Sequence, residues 1–271
     1  MNKINKVNKI KTIALLALCV PFCCGWTAVP NSQEDRYVGG ELIATCADET
    51  ISYVSKQVIE DISTTKGTPK YSAVSGMQNG CGAVAGAIIV GFYDKYYSNL
   101  IPGWDSYYST GAYRLQNGTY VQELLFDLYN RMQTNVVAPG TSESEFKDGL
   151  KSYVVDHGYS LDYISLGSGN NFNYNTFKTA IKNNQPAVLF VRPSTLYVWS
   201  AEENKDVIYT SNISGNHIMV AYGYYEVKYT LGNGTRTDKY LHVATGLSGA
   251  VATAYYKIGS YVDAAYQVKI S

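Results

Sequence analysis

The amino-acid sequence predicts an α+β fold in which a helical half packs against an antiparallel sheet half. Segments with apolar residues at helical spacing come first, up to residue 157, and strand-like segments dominate after residue 159. The dipeptide Asn233-Gly234 lies between two of these later segments and is a strong signal for a β-hairpin. Helices followed by strands are typical of α+β folds, so we expect a cleft between the two halves.

Residues 1–28 are expected to be a secretory signal peptide. Several lysines precede a short apolar run, Thr12 to Cys24, which is too short for an ordinary transmembrane helix. Its three cysteines follow Leu, Phe or Cys rather than a small residue, so lipid attachment is the less favoured alternative. We therefore expect an exported protein, secreted or at the cell surface, with no membrane contact beyond the signal.

Residues 29–66 are expected to be a lead-in arm or a pro-segment. They are polar and mixed, and Val54 to Ile62 predicts only one or two amphipathic helical turns. The stretch Gly67 to Ser72 contains a glycine and a proline and marks a break before the main domain, 67–271.

The stretch QNGCGAVAGAIIVGFYDK, residues 78–95, predicts a central helix that is buried on all sides. The helix should begin at about Gly80 and end near Tyr97, which places Cys81 in its first turn. Free backbone N–H groups and the helix dipole favour an anion there, so a thiolate with a lowered pKa could act as a nucleophile. Two alternatives stay open: a buried structural cysteine, and a disulfide with Cys46.

Two further helices are predicted from apolar spacing, Tyr120 to Met132 and Thr141 to His157. The second begins with the cap-like cluster TSESEF and ends at His157-Gly158. His157 is therefore interpreted as a residue of the helix end and not as a catalytic group.

The rest of the chain predicts a short helix, Asn173 to Lys182, and a series of strands. Their bounds follow from alternating or continuous apolar runs: Tyr159–Leu166, Pro186–Arg192, Ile218–Tyr229, Lys239–Thr245, Ala252–Ile258 and Tyr261–Ile270.

Charge and composition narrow the function classes. The 271-residue chain has 22 basic and 22 acidic residues, so its net charge favours neither nucleic-acid nor anionic-membrane binding. It has 26 tyrosines, which suit strands and binding grooves because each combines apolar area with a polar tip. No metal-ligand spacing is found among the histidines and cysteines, and we expect no cofactor.

A cysteine nucleophile needs a base, and His217 is the best candidate. It opens a predicted strand directly after a Gly-Asn loop, where an imidazole can reach a cleft edge. His242 lies inside another strand, on the face opposite Leu241 and Val243, so it is interpreted as structural or surface.

These blocks together resemble the papain-like cysteine peptidases, in particular the bacterial branch related to bacteriocin-leader-processing peptidases. Gly80–Ala87 resembles the Gly-Cys-Gly-Pro-Thr-Ala core of that branch, and Phe92–Asp94 followed by Asn99–Gly103 is also similar. The block HIMVAYG at 217–223 resembles the family's histidine strand. Leu241–Gly249 is similar to the next strand and turn, also seen in streptopain.

The resemblance covers roughly residues 68–270 and implies a monomeric thiol peptidase acting on peptides or proteins. It implies Cys81 as nucleophile and His217 as base. The family's oxyanion glutamine normally lies six residues before the cysteine, where this chain has Ser75; Gln78 is the available substitute.

The third family residue, an Asn or Asp that orients the imidazole, falls at Ala244 or Thr245. Ala244 cannot fill this role, and the Thr245 hydroxyl would be a weak acceptor. The chain could therefore be a weakened or inactive relative that binds peptide or glycan. A cell-wall amidase or transpeptidase with the same Cys-His pair is a further alternative.

Overall fold

The structure is a computed structural model that describes residues 34–43, 49–65, 68–103 and 119–271. The expected signal peptide and Cys46 lie outside the described residues. All described residues belong to one unit, Glu34–Ser271.

The helices of the described residues lie close to where apolar spacing predicts them, and three of the four end before residue 157. The structure contains α1 (Cys81–Tyr93), α2 (Thr119–Arg131), α3 (Glu143–Asp156) and α4 (Tyr174–Lys182). The first helix ends at Tyr93 and not near Tyr97. Asp94 caps it, and its carboxylate accepts a hydrogen bond from the Ile101 N–H at 2.8 Å, which turns the chain back.

Helix α1 is the centre of the helical half. All of its residues are buried, as the unbroken apolar run predicts. It packs against α2 and α3, and Gly86 permits the close approach: a Cβ at this position would lie 2.8 Å from the Met132 Cε. The helix therefore lies fixed between its neighbours, and Cys81 at its first residue lies fixed with it.

The strands supply the second half of the fold. In chain order they are β1 (Arg36–Tyr37), β2 (Leu42–Ile43), β3 (Glu49–Ser52), β4 (Ser55–Ser63), β5 (Thr141–Ser142), β6 (Leu161–Gly169), β7 (Ala187–Val191), β8 (Ser194–Glu202), β9 (Lys205–Ile213), β10 (His217–Leu231), β11 (Gly234–Ala244), β12 (Thr253–Lys257) and β13 (Val262–Ile270).

The large sheet is antiparallel in the pairing of its named strands, and this confirms the α+β class. Its main path runs β2-β9-β8-β12-β11-β10-β7-β13-β6, with β3 added to β9 and β4 added to β10. The predicted hairpin is present: β10 and β11 pair from Val220↔Ala244 to Leu231↔Gly234, with Gly232 and Asn233 in the loop.

One sequence-based prediction is wrong: Val54 to Ile62 is a strand and not one or two helical turns. Strand β4 pairs with the outer part of β10, from Thr230↔Ser55 to Gly223↔Ser63. Strand β10 is fifteen residues long and extends past β7, so its edge would be unpaired without β4. A free edge elsewhere in the chain therefore decides the structure of this segment.

The hairpin of β8 and β9 was not predicted from the sequence. These strands pair from Ser194↔Ile213 to Glu202↔Lys205, and Asn204 in the turn has a φ of 57°. Alternating Tyr197, Trp199 and an Asn in the turn are signals that could have identified the hairpin.

Candidate active site

Cys81 is the first residue of α1, at the N-terminal end of a buried helix. The cap residue is Gly80, which offers no side-chain hydrogen bond to the free N–H groups of the first turn. The residue before it, Asn79, has a φ of 56°, which turns the chain sharply into the helix. Cys81 is a free thiol, so the disulfide alternative with Cys46 is wrong.

His217 is the first residue of β10 and is almost completely buried, with 1% exposure. Its Nε2 lies 2.6 Å from the backbone carbonyl oxygen of Thr245. Because a carbonyl oxygen only accepts, Nε2 carries the proton and Nδ1 keeps the basic lone pair. Nδ1 is buried and, among the described residues, has no hydrogen-bond partner.

Burial also favours the neutral form of the His217 ring. Burial lowers the pKa of His217 below its ordinary value of 6.5, and the bond to Thr245 only partly offsets this effect. The imidazole is therefore neutral near neutral pH, and Nδ1 is available to accept a proton.

The structure brings Cys81 and His217 into the same region. The backbone N–H of Ile218, the residue next to His217, lies close enough to the Cys81 sulfur to lower the pKa of the thiol. On the other side of the sulfur lies Gly39, whose N–H donates to the carbonyl of Asn216 at 3.1 Å. Residues on both sides of His217 in the chain therefore contact either the thiol or the segment that covers it.

The thiol is covered and protonated in this arrangement. Cys81 is 6% exposed, and its Sγ donates to the backbone carbonyl of Tyr37 at 3.6 Å. Burial raises the pKa of Cys81 to about 11, although backbone N–H groups directed at the sulfur act in the opposite direction. The expected lowering of this pKa by the helix start is therefore wrong for the covered thiol, because desolvation outweighs the N–H groups.

Thr245 contacts the histidine through its main chain and not through its side chain. Its hydroxyl donates to the Val251 carbonyl at 2.7 Å and accepts from the Leu247 N–H at 3.1 Å. The predicted hydroxyl contact is therefore replaced by a carbonyl contact. Ala244 is buried and pairs with Val220 in the sheet.

Gln78 lies in the loop before α1 with an exposed side chain. Its backbone carbonyl accepts hydrogen bonds from the Tyr129 hydroxyl and the Asn135 Nδ2, both at 2.9 Å. Asn135 also accepts from the Asn79 side chain at 2.8 Å. This polar network, which the sequence analysis missed, holds the loop that leads into Cys81.

The other two histidines have structural contacts. His157 caps α3, and its Nδ1 lies 2.7 Å from the Tyr153 carbonyl oxygen. His242 lies among tyrosines, with Nε2 3.2 Å from an Asp61 carboxylate oxygen, and burial lowers its pKa more than Asp61 raises it.

Within the described residues, no group of three or more His, Cys, Asp and Glu side chains is placed to hold a metal ion. In the same part of the chain, no helix has the length and apolar character needed to cross a membrane. Comparison of the chain with family models, curated proteins and solved structures gave no match.

Proposed function

We propose that this chain is an exported, monomeric, papain-like thiol peptidase that hydrolyses peptide bonds through Cys81 and His217. The observation that supports this most is that a free thiol at a buried helix start and the imidazole of His217 lie in the same region, since the residue next to His217 acts on the thiol. That imidazole has a basic nitrogen that is buried and unpaired among the described residues. An unpaired buried polar atom costs free energy, so a functional reason for it is expected.

The proposed reaction is acyl transfer. His217 Nδ1 takes the Sγ proton, and the Cys81 thiolate attacks the substrate carbonyl carbon to form a tetrahedral intermediate. The C–N bond then breaks, and the imidazolium gives its proton to the leaving amine. Water, deprotonated by the same nitrogen, attacks the thioester, and the acid product leaves with the thiol restored.

The oxyanion of each intermediate needs hydrogen-bond donors at the helix start. The Cys81 backbone N–H is one of the free donors of the first helical turn. Gln78 is the proposed second donor, and its exposed side chain leaves it free to turn toward a bound substrate.

The Thr245 carbonyl takes the orienting role that an Asn or Asp side chain has in the family. It accepts from Nε2 and so selects the tautomer that a base requires. A neutral carbonyl and a buried ring stabilise imidazolium less than a carboxylate would, so we expect a slower enzyme with an intact Cys-His pair.

A peptide substrate is favoured over a glycan because a segment of the protein's own main chain already covers the thiol. The chain from Arg36 to Gly40 crosses it; this segment pairs with β5 on one side as strand β1, and Gly39 donates a main-chain hydrogen bond to Asn216 on the other. Binding of an added strand through main-chain hydrogen bonds is a common way to recognise peptides.

The second candidate function is a non-catalytic peptide-binding protein. It is favoured by the buried, neutral thiol and by Ala244 at the position of the orienting residue. Such a protein would have the same groove without turnover.

The test uses the full chain carrying Gly40→Ala, a change that keeps the covering segment off the thiol, and compares it with the same chain carrying Cys81→Ala as well, on an unfolded protein substrate at about pH 7. We expect fragments only from the chain that retains Cys81, and a covalent thioester adduct at Cys81 when a peptide ester is supplied. Equal cleavage by Cys81→Ala would contradict the peptidase. Peptide binding by both chains with cleavage by neither would select the binding protein.

A further inference from the structure

The segment Glu34–Ile43, called the strap below, runs from the helical half across Cys81 to the sheet half. It begins beside α3, where Glu34 accepts from the Ser144 N–H at 2.8 Å, and it ends as β2 on β9. The strap is a strand at Arg36–Tyr37 and at Leu42–Ile43, and it covers the thiol between these two strands.

Arg36 fixes the strap to the helical half. Its guanidinium donates to both carboxylate oxygens of Glu145, at 3.0 and 2.8 Å, and to the Gly140 carbonyl at 2.7 Å. The pair is largely buried, and a bidentate arginine–carboxylate contact is among the strongest polar contacts in proteins. The main chain of Arg36 also pairs with Ser142 in β5.

Tyr37 and Gly39 hold the strap directly over the thiol. The Tyr37 carbonyl accepts the thiol hydrogen, while its ring is 2% exposed and packs on Phe190. Gly39 has a φ of +71° and lies so close that a Cβ there would be 3.5 Å from the Cys81 Cβ. The thiol proton is thereby directed to the strap and not to His217.

Gly40 fits the strap to the sheet half. A Cβ on Gly40 would lie 2.1 Å from the Ile213 Cγ2 and 2.7 Å from the Gly215 backbone nitrogen. Next to it, the Glu41 carbonyl accepts from the Ser214 N–H at 3.1 Å, and the Glu41 N–H donates to the Ser214 hydroxyl. No side chain is accommodated at position 40 while the strap is seated.

We propose that the strap is an autoinhibitory element that occupies the substrate groove in cis and keeps Cys81 latent until the strap is displaced. This regulation rests on the proposed function, since it acts on the same thiol and the same groove. Displacement frees the thiol hydrogen from the Tyr37 carbonyl and lets it pass to His217 Nδ1.

The inhibitory unit is the strap alone and not the whole of residues 29–66. Strand β4 pairs with β10 along eight positions and belongs to the sheet, and β3 pairs with β9. Activation therefore concerns the residues that touch the thiol and leaves these two strands in place.

The test measures how fast iodoacetamide modifies Cys81 in the full chain, with peptide mapping to identify the modified residue. Gly40→Ala cannot seat the strap, and Arg36→Ala removes its contact with Glu145. Gly232→Ala is the matched control, because a Cβ in that hairpin loop meets nothing within 4 Å.

We expect alkylation of Cys81 to be about tenfold faster or more in Gly40→Ala and Arg36→Ala, because a buried thiol reacts only in open states. The control should react at the native rate. A variant counts in this comparison only if its near-ultraviolet circular dichroism is native, which shows that it is folded. Native-rate alkylation in a folded strap variant would overturn the proposal.

A measurement on the native chain decides the matter even if both variants unfold. Local release of the strap exposes little surface, so alkylation of Cys81 should change little with urea below the unfolding transition. An alkylation rate that rises steeply with urea, in parallel with global unfolding, would show that the thiol is exposed only when the whole core unfolds. That result would overturn the proposal that the strap covers it.

Peptide hydrolysis by the same variants separates the two proposals. Faster alkylation of Cys81 in the strap variants without any peptide hydrolysis would support the covering role of the strap and contradict the proposed peptidase activity. Peptide hydrolysis by the native chain, with no increase in the folded strap variants, would support the peptidase activity and contradict autoinhibition by the strap.

Discussion

At the residue scale, the candidate site depends on which ring nitrogen of His217 carries the proton. The Thr245 carbonyl settles this, since it can only accept from Nε2 and so leaves Nδ1 basic. The ring is buried and no charge of the described part of the chain acts on it, so its protonated form is disfavoured in the folded chain.

A neutral buried histidine makes the fold sensitive to acid. The pKa of His217 is lowered in the folded chain and ordinary, about 6.5, in the unfolded chain. The unfolded state therefore binds more protons below that pH, and stability falls as pH decreases. Between about pH 6.5 and 5, we expect the free energy of unfolding of His217→Gln to fall less than that of the native chain. The difference should be up to about 1.4 kcal/mol per pH unit.

Urea unfolding of the native chain and of His217→Gln at several pH values measures this difference in slope. Parallel pH dependences would mean that His217 has the same proton affinity in both states. That result would remove the argument for a neutral base.

Much of the site chemistry at this scale is readable from local sequence, and part of it is not. Cys81 at a helix start and His217 at a strand start follow from nearby residues alone. The acceptor on Thr245 could not be predicted as a carbonyl, because it depends on the path of the main chain after β11. The raised pKa of Cys81 could not be predicted either, because Tyr37, more than forty positions away in the chain, covers it.

At the element scale, the N-terminus of α3 has two separable roles. Ser142 and Glu145 form a capping box, in which the Ser142 hydroxyl accepts from the Glu145 N–H and the Glu145 carboxylate accepts from the Ser142 N–H. The same carboxylate holds Arg36 of the strap. Glu145 therefore contributes both to the stability of helix α3 and to the attachment of the strap that covers the Cys81 thiol.

Two substitutions should separate these roles. Ser142→Ala removes the cap and should destabilise the fold by about 1 kcal/mol. Glu145→Gln keeps a capping-box residue but loses the charged contact with Arg36, so it should speed alkylation of Cys81 at a smaller loss of stability. Urea unfolding and iodoacetamide kinetics on both variants measure the two effects. Equal alkylation rates in Glu145→Gln and the native chain would contradict the coupling.

The elements themselves were predicted unevenly, for a physical reason. Helices α1, α2 and α3 and strand β10 carry their own apolar pattern, which burial then satisfies. Strand β4 has half-exposed Val58 and Ile59 and no clear period, so its structure comes from the β10 edge it covers. A tertiary partner of this kind is not visible in the segment itself.

At the scale of the whole molecule, three of the four early strands are part of the large sheet. Strands β2, β3 and β4 extend the sheet on β9 and β10, while β1 joins the helical half at β5. The expected boundary near residue 67 is a boundary in composition, and strand pairing crosses it.

Truncation should show that the fold requires the strands before residue 68. A chain that begins at residue 68 lacks β4 and leaves the outer edge of β10 unpaired, so we expect it to aggregate or to unfold without cooperativity. A chain that begins at Glu34 should retain the native circular dichroism and melt cooperatively. A monomeric, cooperatively folded 68–271 chain would show that the earlier strands are dispensable.

The central claim is that Cys81 and His217 form a nucleophile–base pair once the strap is lifted. The most direct measurement is the pH dependence of Cys81 alkylation in Gly40→Ala, with and without His217→Gln. We predict reactive thiolate below about pH 7 when His217 is present, and a single rise near the ordinary thiol pKa of about 8.5 when it is replaced. Identical profiles in the two chains would contradict the pair.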